Sequence, residues 1–356
     1  MTGRVANLDL LRAVAVTLVV ASNAAVETGV GPGLAGRVAS SGWVGVDLFF
    51  VLSGWLVGGL YWRELARDGR VRTGRFWGRR WLRTVPAYLV ALHVVFAAKW
   101  ALSGGALAYD ARYLLFVQNY EARIPYWAVS WSLCVEEHFY LALPLALGAA
   151  VRTRFGMDAL LAVALVVSVV SRVLTVEAGD PLYGLHYTAT HMRMEGLVLG
   201  VWASHVYHRR PARWPAVVRV ARLAAVPGLL LVASVSLLPP GVLNRYAFTL
   251  VDIAFAAVLV AVVARPPLPG ATSRAVRAVA LASYSIYMTH TVALEATERV
   301  ASGLPAPLHV AVGLAAVAAV GAAFYAAVER PSLRLRERLL PGRVPSVSLA
   351  PIALSP

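Results

Sequence analysis

Residues 43–62 read WVGVDLFFVLSGWLVGGLYW, twenty positions at which Asp47 is the one charged side chain. Lipid offers no partner to a free peptide N–H or C=O. An apolar run of about 20 residues therefore crosses a bilayer as a helix whose hydrogen bonds close within the segment. Nine further runs read the same way: 8–27, 84–102, 127–149, 157–176, 191–208, 223–239, 246–264, 278–297 and 305–328. Together they predict an all-α polytopic membrane protein with about ten transmembrane helices. The composition agrees. Of 356 residues, 59% are hydrophobic and 14% charged, and the mean hydropathy is +0.67, whereas a soluble domain has about 45–50% apolar and 25% charged residues. The surplus apolar surface has to face lipid, which all but excludes a water-soluble enzyme.

A net charge of +15 would point to nucleic acid in a soluble chain. Here the placement of arginine records topology instead, and no nucleic-acid partner is expected. Between the ten runs, twenty-four arginines fall on one side, with eight of them between Arg63 and Arg83. Six fall on the other: Arg37, Arg112, Arg123, Arg172, Arg245 and Arg299. This asymmetry predicts cytoplasmic termini and a multi-pass protein of the cell membrane, with the lipid bilayer as a partner. The first run carries Asp9 and Arg12 near its start and lacks a small-x-small cleavage site, so it is expected to remain as a span. Residues 1–343 form one expected unit, and 344–356 an expected frayed tail. Cys134 is the single cysteine, and no Cys/His spacing suggests a metal site.

Charge inside a hydrocarbon span marks either a site or a paired structural contact. Span one places Asp9 and Arg12 on one helical face. Asn23 follows eleven residues later, roughly 16 Å deeper along the axis. Span two holds Asp47 without a local partner, and its Ser53-Gly54 step permits close helix approach or a break. Before span three, RFWGRRWLR (75–83) sets Arg79, Arg80 and Arg83 against Trp77 and Trp81. Headgroup anchoring explains much of this segment, but Arg80 and Arg83, one turn apart, also suit bidentate phosphate binding. Span four opens WSLCVEEHFY (131–140). Glu136 and Glu137 point about 100° apart and so serve different partners, one able to neutralise an arginine and the other to act as acid or base. His138 follows them. Span six starts with His191, Arg193 and Glu195, where a buried Arg–Glu contact competes with a site. Span nine sets Tyr284, Tyr287 and His290 at intervals of three. His93 and His309 lack such company and read as interfacial.

In order along the chain, LDLLRAVAV, GVDLFFVLSGWL, RRWLRTVPAY, WSLCVEEHFYL, THMRMEGLVLG, SYSIYMTH and VERPSLRLR resemble the segments of acyltransferase family 3. These are the integral membrane O-acyltransferases of bacterial polysaccharides and macrolides. The resemblance runs from Leu8 to about Arg338 and implies an enzyme with ten core helices. It implies acyl-CoA as a donor co-substrate, no tightly bound cofactor, and a hydroxyl of a sugar or secondary metabolite as acceptor. It places Arg12, Arg80 and Arg83 with the donor. Glu136, Glu137, His191 and His290 become candidate catalytic groups beside Asp47 and Asn23, and His138, Arg193, Glu195 and Tyr284 candidate substrate contacts.

Against the family pattern, Glu195, Cys134 and His138 are mild departures, and one position departs seriously. The family's presumed catalytic histidine falls on Asn23, and an amide is no general base near neutral pH. Three readings follow. Another base, His191, His138, His290 or a carboxylate, has taken over. Alternatively, the scaffold runs different chemistry, such as an intramembrane cyclase or isomerase using Glu136 or Asp47 as acid on a lipophilic molecule. Or the chain is a transporter or binding relative without catalysis.

Overall fold

The computed structural model describes residues 3–27, 36, 41–121, 123–151, 156–177, 180 and 184–341. Arg37, Arg152, Arg154, Arg343 and the tail 344–356 lie outside the described residues.

Each of the ten runs contains a helix. In chain order these are α1 (Gly3–Glu27), α2 (Val44–Asp68), α3 (Thr73–Leu102), α4 (Trp131–Ala150) and α5 (Gly156–Thr175), then α6 (Glu195–Arg209), α7 (Trp214–Ser234), α8 (Phe248–Val263), α9 (Arg274–Ala301) and α10 (Ala306–Phe324). A final helix, α11 (Arg330–Leu339), follows a π turn at Tyr325–Glu329. The described residues contain eight helices long and apolar enough to span a membrane, which makes the chain a multi-pass membrane protein.

The sixth and ninth runs are the exceptions to the expected ten. The backbone breaks at Met194, so α6 keeps only 15 residues, about 22 Å of helix against a hydrocarbon core of about 30 Å. α9 is long enough, with 28 residues, but it is charged at both ends and carries polar residues along its length. Those are turned inward: Ser283, Ser285, Thr289, His290 and Thr297 are all buried. Other ends shift too. α3 begins eleven residues before its apolar run and so carries the arginine-rich segment on the same rod. Arg172, placed on the sparse side by the loop count, lies inside α5 and is fully buried.

α2 is the central helix, with 78% of its apolar window buried against 11% for the segment containing α7. Small residues set its contacts. A Cβ on Gly54 would lie 2.0 Å from the Leu197 carbonyl oxygen of α6, and one on Gly200 would lie 2.2 Å from that of Val51. A Cβ on Gly45 would meet the Ala15 carbonyl of α1 at 2.4 Å. Backbones this close leave room only for hydrogen, the usual device where helices associate without a hydrophobic drive. The Ser53-Gly54 step is therefore a close approach, and α2 runs unbroken through it. α2 ends at Gly69 (φ 66°), whose N–H donates to the Leu65 carbonyl at 3.0 Å. That left-handed cap turns the chain into α3.

Near the start of α1, buried Asn7 donates to the Val262 and Pro266 carbonyls at 3.0 Å and accepts from the Leu268 N–H at 2.7 Å, tying α1 to the end of α8. At the other terminus α11 lies on the first turns of α3. Arg79 pairs with Glu337 at 3.1 Å, and Arg79 and Arg75 also donate to the carbonyls of Leu340 and Pro341.

Candidate functional site

A cavity of about 530 Å³ opens among α1, α2, α3, α4, α6 and α9. Its wall carries Arg12, Arg63, Arg80 and Arg83 with His208. Along α1, α2 and α3 these arginines lie toward the arginine-rich end of the bundle. Phe49, Leu52, Leu56 and Leu133 supply apolar wall, and Ser53, Ser132, Glu136, Tyr284 and Tyr287 supply polar groups. Four guanidiniums face two lining carboxylates, Asp9 and Glu136, so the lining is net positive. Arg80 lies 4.0 Å over the ring of Tyr140, and its buried Nε has no hydrogen-bond partner. The neighbouring Arg79, about 100° away on the helix, is held by α11 instead.

The two carboxylates of α4 do serve different partners. Glu136 Oε1 accepts from the Ser53 hydroxyl at 2.6 Å, inside the cavity. Glu137 Oε1 accepts from the buried Thr84 hydroxyl at 2.6 Å, while its Oε2 is buried without a partner. Tyr284 donates to the Thr84 carbonyl at 3.1 Å, which links α9 to the turn of α3 above Arg80 and Arg83. Ser132 and Tyr287 share a hydrogen bond of 2.6 Å at the cavity wall.

Arg12, Arg80, Arg83, Glu136 and Tyr284 thus meet in one place. The other sequence candidates do not line it. Asp47 pairs with Arg193 at 2.7 Å and Arg172 with Glu195 at 2.6 Å, all four fully buried. Thr249 donates to Glu195 at 2.9 Å, and the Arg193 guanidinium stacks 3.8 Å over Phe248. Asp252 is buried within electrostatic reach of both arginines, against Gly196. This is a lock joining α2, α5, α6 and α8. Arg172, Thr249 and Asp252 were not singled out in the sequence. Polar residues within apolar runs, 77 positions apart from Arg172 to Thr249, gave the only hint.

On a third patch, His138 Nδ1 and Thr190 Oγ1 share a hydrogen bond of 2.7 Å. Asn119 donates to the same hydroxyl at 2.9 Å, and the Tyr120 ring stacks on His191 at 5.8 Å. His138 sits two residues beyond Glu136, about 200° around α4, so this patch lies on the opposite flank of that helix from the cavity. The loop that brings Asn119 and Tyr120 is pinned by Arg112, which bonds Asp110 at 2.9 Å and pairs with Glu121. That hydrogen bond from Arg112 holds the Asp110 carboxyl below the usual carboxylate range. Nothing in the stretch VQNY (117–120) marked it as more than a loop.

His290 is fully buried. Its Nδ1 donates to the Tyr287 carbonyl at 2.6 Å, and its Nε2 has no partner. Asn23 is half-buried near the far end of α1 and donates to the carbonyl of Val19, one turn back on its own helix, at 2.9 Å. Among the described residues no group of His, Cys, Asp and Glu has the arrangement of a metal site.

Comparison with known proteins adds a family. Two relatives named O-acetyltransferase OatA, from Staphylococcus aureus strains NCTC 8325 / PS 47 and COL, are each 32% identical over 124 aligned residues. The alignments cover 30% of this chain, which spans only 20% of the length of these curated relatives. No solved structure matches the chain. The model of an acyltransferase domain matches residues 5–327, nearly the whole described bundle and the stretch that carries six of the seven ordered motifs, and the chain therefore belongs to acyltransferase family 3.

Proposed function

We propose that this chain transfers an acyl group from an acyl-CoA thioester to a hydroxyl of a sugar or secondary metabolite, within the cell membrane. The observation that carries the reading is a cavity whose wall holds Arg12, Arg80 and Arg83 together with Glu136 and the apolar Phe49, Leu52, Leu56 and Leu133. The guanidiniums suit the phosphates of the donor, and the apolar wall suits its long, mostly uncharged arm. Glu136 accepts a proton from the attacking hydroxyl, as a general base must. The relatives named O-acetyltransferases support transfer to oxygen, and acetyl is the acyl group to try first. The excess of arginine at the donor end supports a cytoplasmic position for that end and for both termini, on the side where acyl-CoA is made.

Arg80→Ala and Arg83→Ala are each expected to weaken acetyl-CoA binding by about 1.5–3 kcal/mol, the usual worth of a charge-assisted contact. That is roughly 10- to 150-fold in Kd. Lysine should rescue only part of the loss, because it lacks the planar fork. Titration calorimetry on the purified chain in detergent measures this, with Arg79→Ala as the comparison, since Arg79 faces α11 instead of the cavity. Equal losses at positions 79 and 80 would mean that surface charge alone drives the binding, and the donor site would be misplaced.

Asn23 supplies a further expectation. Its amide is satisfied within α1 and does not line the cavity, so Asn23→His should bring no gain in acyl transfer from acetyl-CoA. A gain of about 10²–10⁴, the worth of a general base, would show instead that the native chain lacks its base and performs other chemistry.

A further inference from the structure

We propose that Ser53 is a nucleophile that carries the acyl group covalently between donor and acceptor, with Glu136 as its base; this rests on the reading of the cavity as an acyl-CoA site. Serine and threonine inside helices usually turn their hydroxyls back to a carbonyl of the preceding turn. Ser283, Thr289, Thr297 and Ser332 all do so here, at 2.8–2.9 Å. Ser53 does not. Its hydroxyl leaves α2 and donates to Glu136 Oε1 of α4 at 2.6 Å, across 83 residues of sequence. Packing does not require this. Gly54 supplies the close approach of α2 to α6, whereas half-buried Ser53 turns to the cavity wall. A hydroxyl held by a carboxylate at this distance, in a wall shared with Phe49, Leu52 and Leu133, meets the geometric requirement for an activated nucleophile and its base.

The two steps balance without any further reactant. In the first, Ser53 Oγ attacks the thioester carbonyl carbon and its proton passes to Glu136. The carbon–sulfur bond breaks, and the departing sulfur takes that proton and leaves as the CoA thiol. In the second, the acceptor hydroxyl attacks the resulting ester and gives its proton to Glu136. The bond to Ser53 breaks, and the Ser53 oxygen recovers the proton. Such a route needs no histidine in α1, which accounts for an asparagine at position 23.

The test uses the purified full chain in detergent, given acetyl-CoA labelled in the acetyl group and no acceptor. The expected result is a single burst of free CoA thiol, stoichiometric with protein, and a hydroxylamine-sensitive acetyl group on the peptide containing Ser53. Ser53→Ala should lose the label completely while binding acetyl-CoA with the parent's affinity. Ser53→Cys should carry the label as a thioester, which also shows that substitution at this position leaves the fold intact. A parent chain that binds acetyl-CoA and acylates an acceptor but never carries the label overturns the proposal and leaves the donor site standing, as would label on another residue. No binding of acetyl-CoA overturns both.

Discussion

Glu136→Gln is expected to lower turnover of acyl transfer by about 10²–10⁴, the range over which a positioned general base acts, while leaving the bundle folded. Glutamine keeps the length of the side chain and can still accept from Ser53 at the 2.6 Å contact, so donor binding should change little. What it loses is the ability to take a proton. Glu137→Gln is the comparison. Glu137 is buried against Thr84 and is not among the residues lining the cavity, so its replacement should cost much less in kcat and show mainly in thermal stability. Steady-state transfer rates and unfolding temperatures of both variants in one detergent separate the two roles. If Glu137→Gln proved the more damaging to kcat, the titrating carboxylate of α4 would have to be reassigned.

Arg193→Ala is expected to destabilise the fold by about 3–5 kcal/mol, the cost of leaving a buried carboxylate unpaired. Arg193 and Asp47 meet at 2.7 Å with no exposed side-chain surface, and Asp252 lies close by with both oxygens buried and lacking hydrogen-bond partners. Removing the cation leaves two acids facing Arg172 alone, which already holds Glu195 at 2.6 Å. Pairing Arg193→Met with Asp47→Leu should recover much of the loss, because apolar groups of similar volume often replace a buried ion pair at little cost. Denaturant unfolding of the two single variants and the double variant gives the coupling directly. A fully stable Arg193→Ala would remove the lock as a structural device and return Asp47 and Arg193 to the list of ligand-binding groups.

The membrane and the helices were legible in local pattern alone. In hydrocarbon the backbone must satisfy its own hydrogen bonds, so a run of about 20 apolar residues has one available form, and every run contains a helix. Residue spacing also separated Glu136 from Glu137 and set Arg80 and Arg83 on one face, because those angles follow from 3.6 residues per turn alone. What stands at the end of each angle was not legible. Asp47 and Arg193 are 146 positions apart, Ser53 and Glu136 are 83 apart, and His138 finds its partner in Thr190 instead of joining the carboxylates beside it. Each assignment depends on which helix packs where. That in turn is set by glycine seams such as Gly54 against Leu197, and by the break at Met194 that shortens α6 and seats Glu195 beside Arg172. Local periodicity fixes the direction of a side chain, and only the packed bundle decides whether that direction ends in a cavity, in a buried ion pair or in lipid.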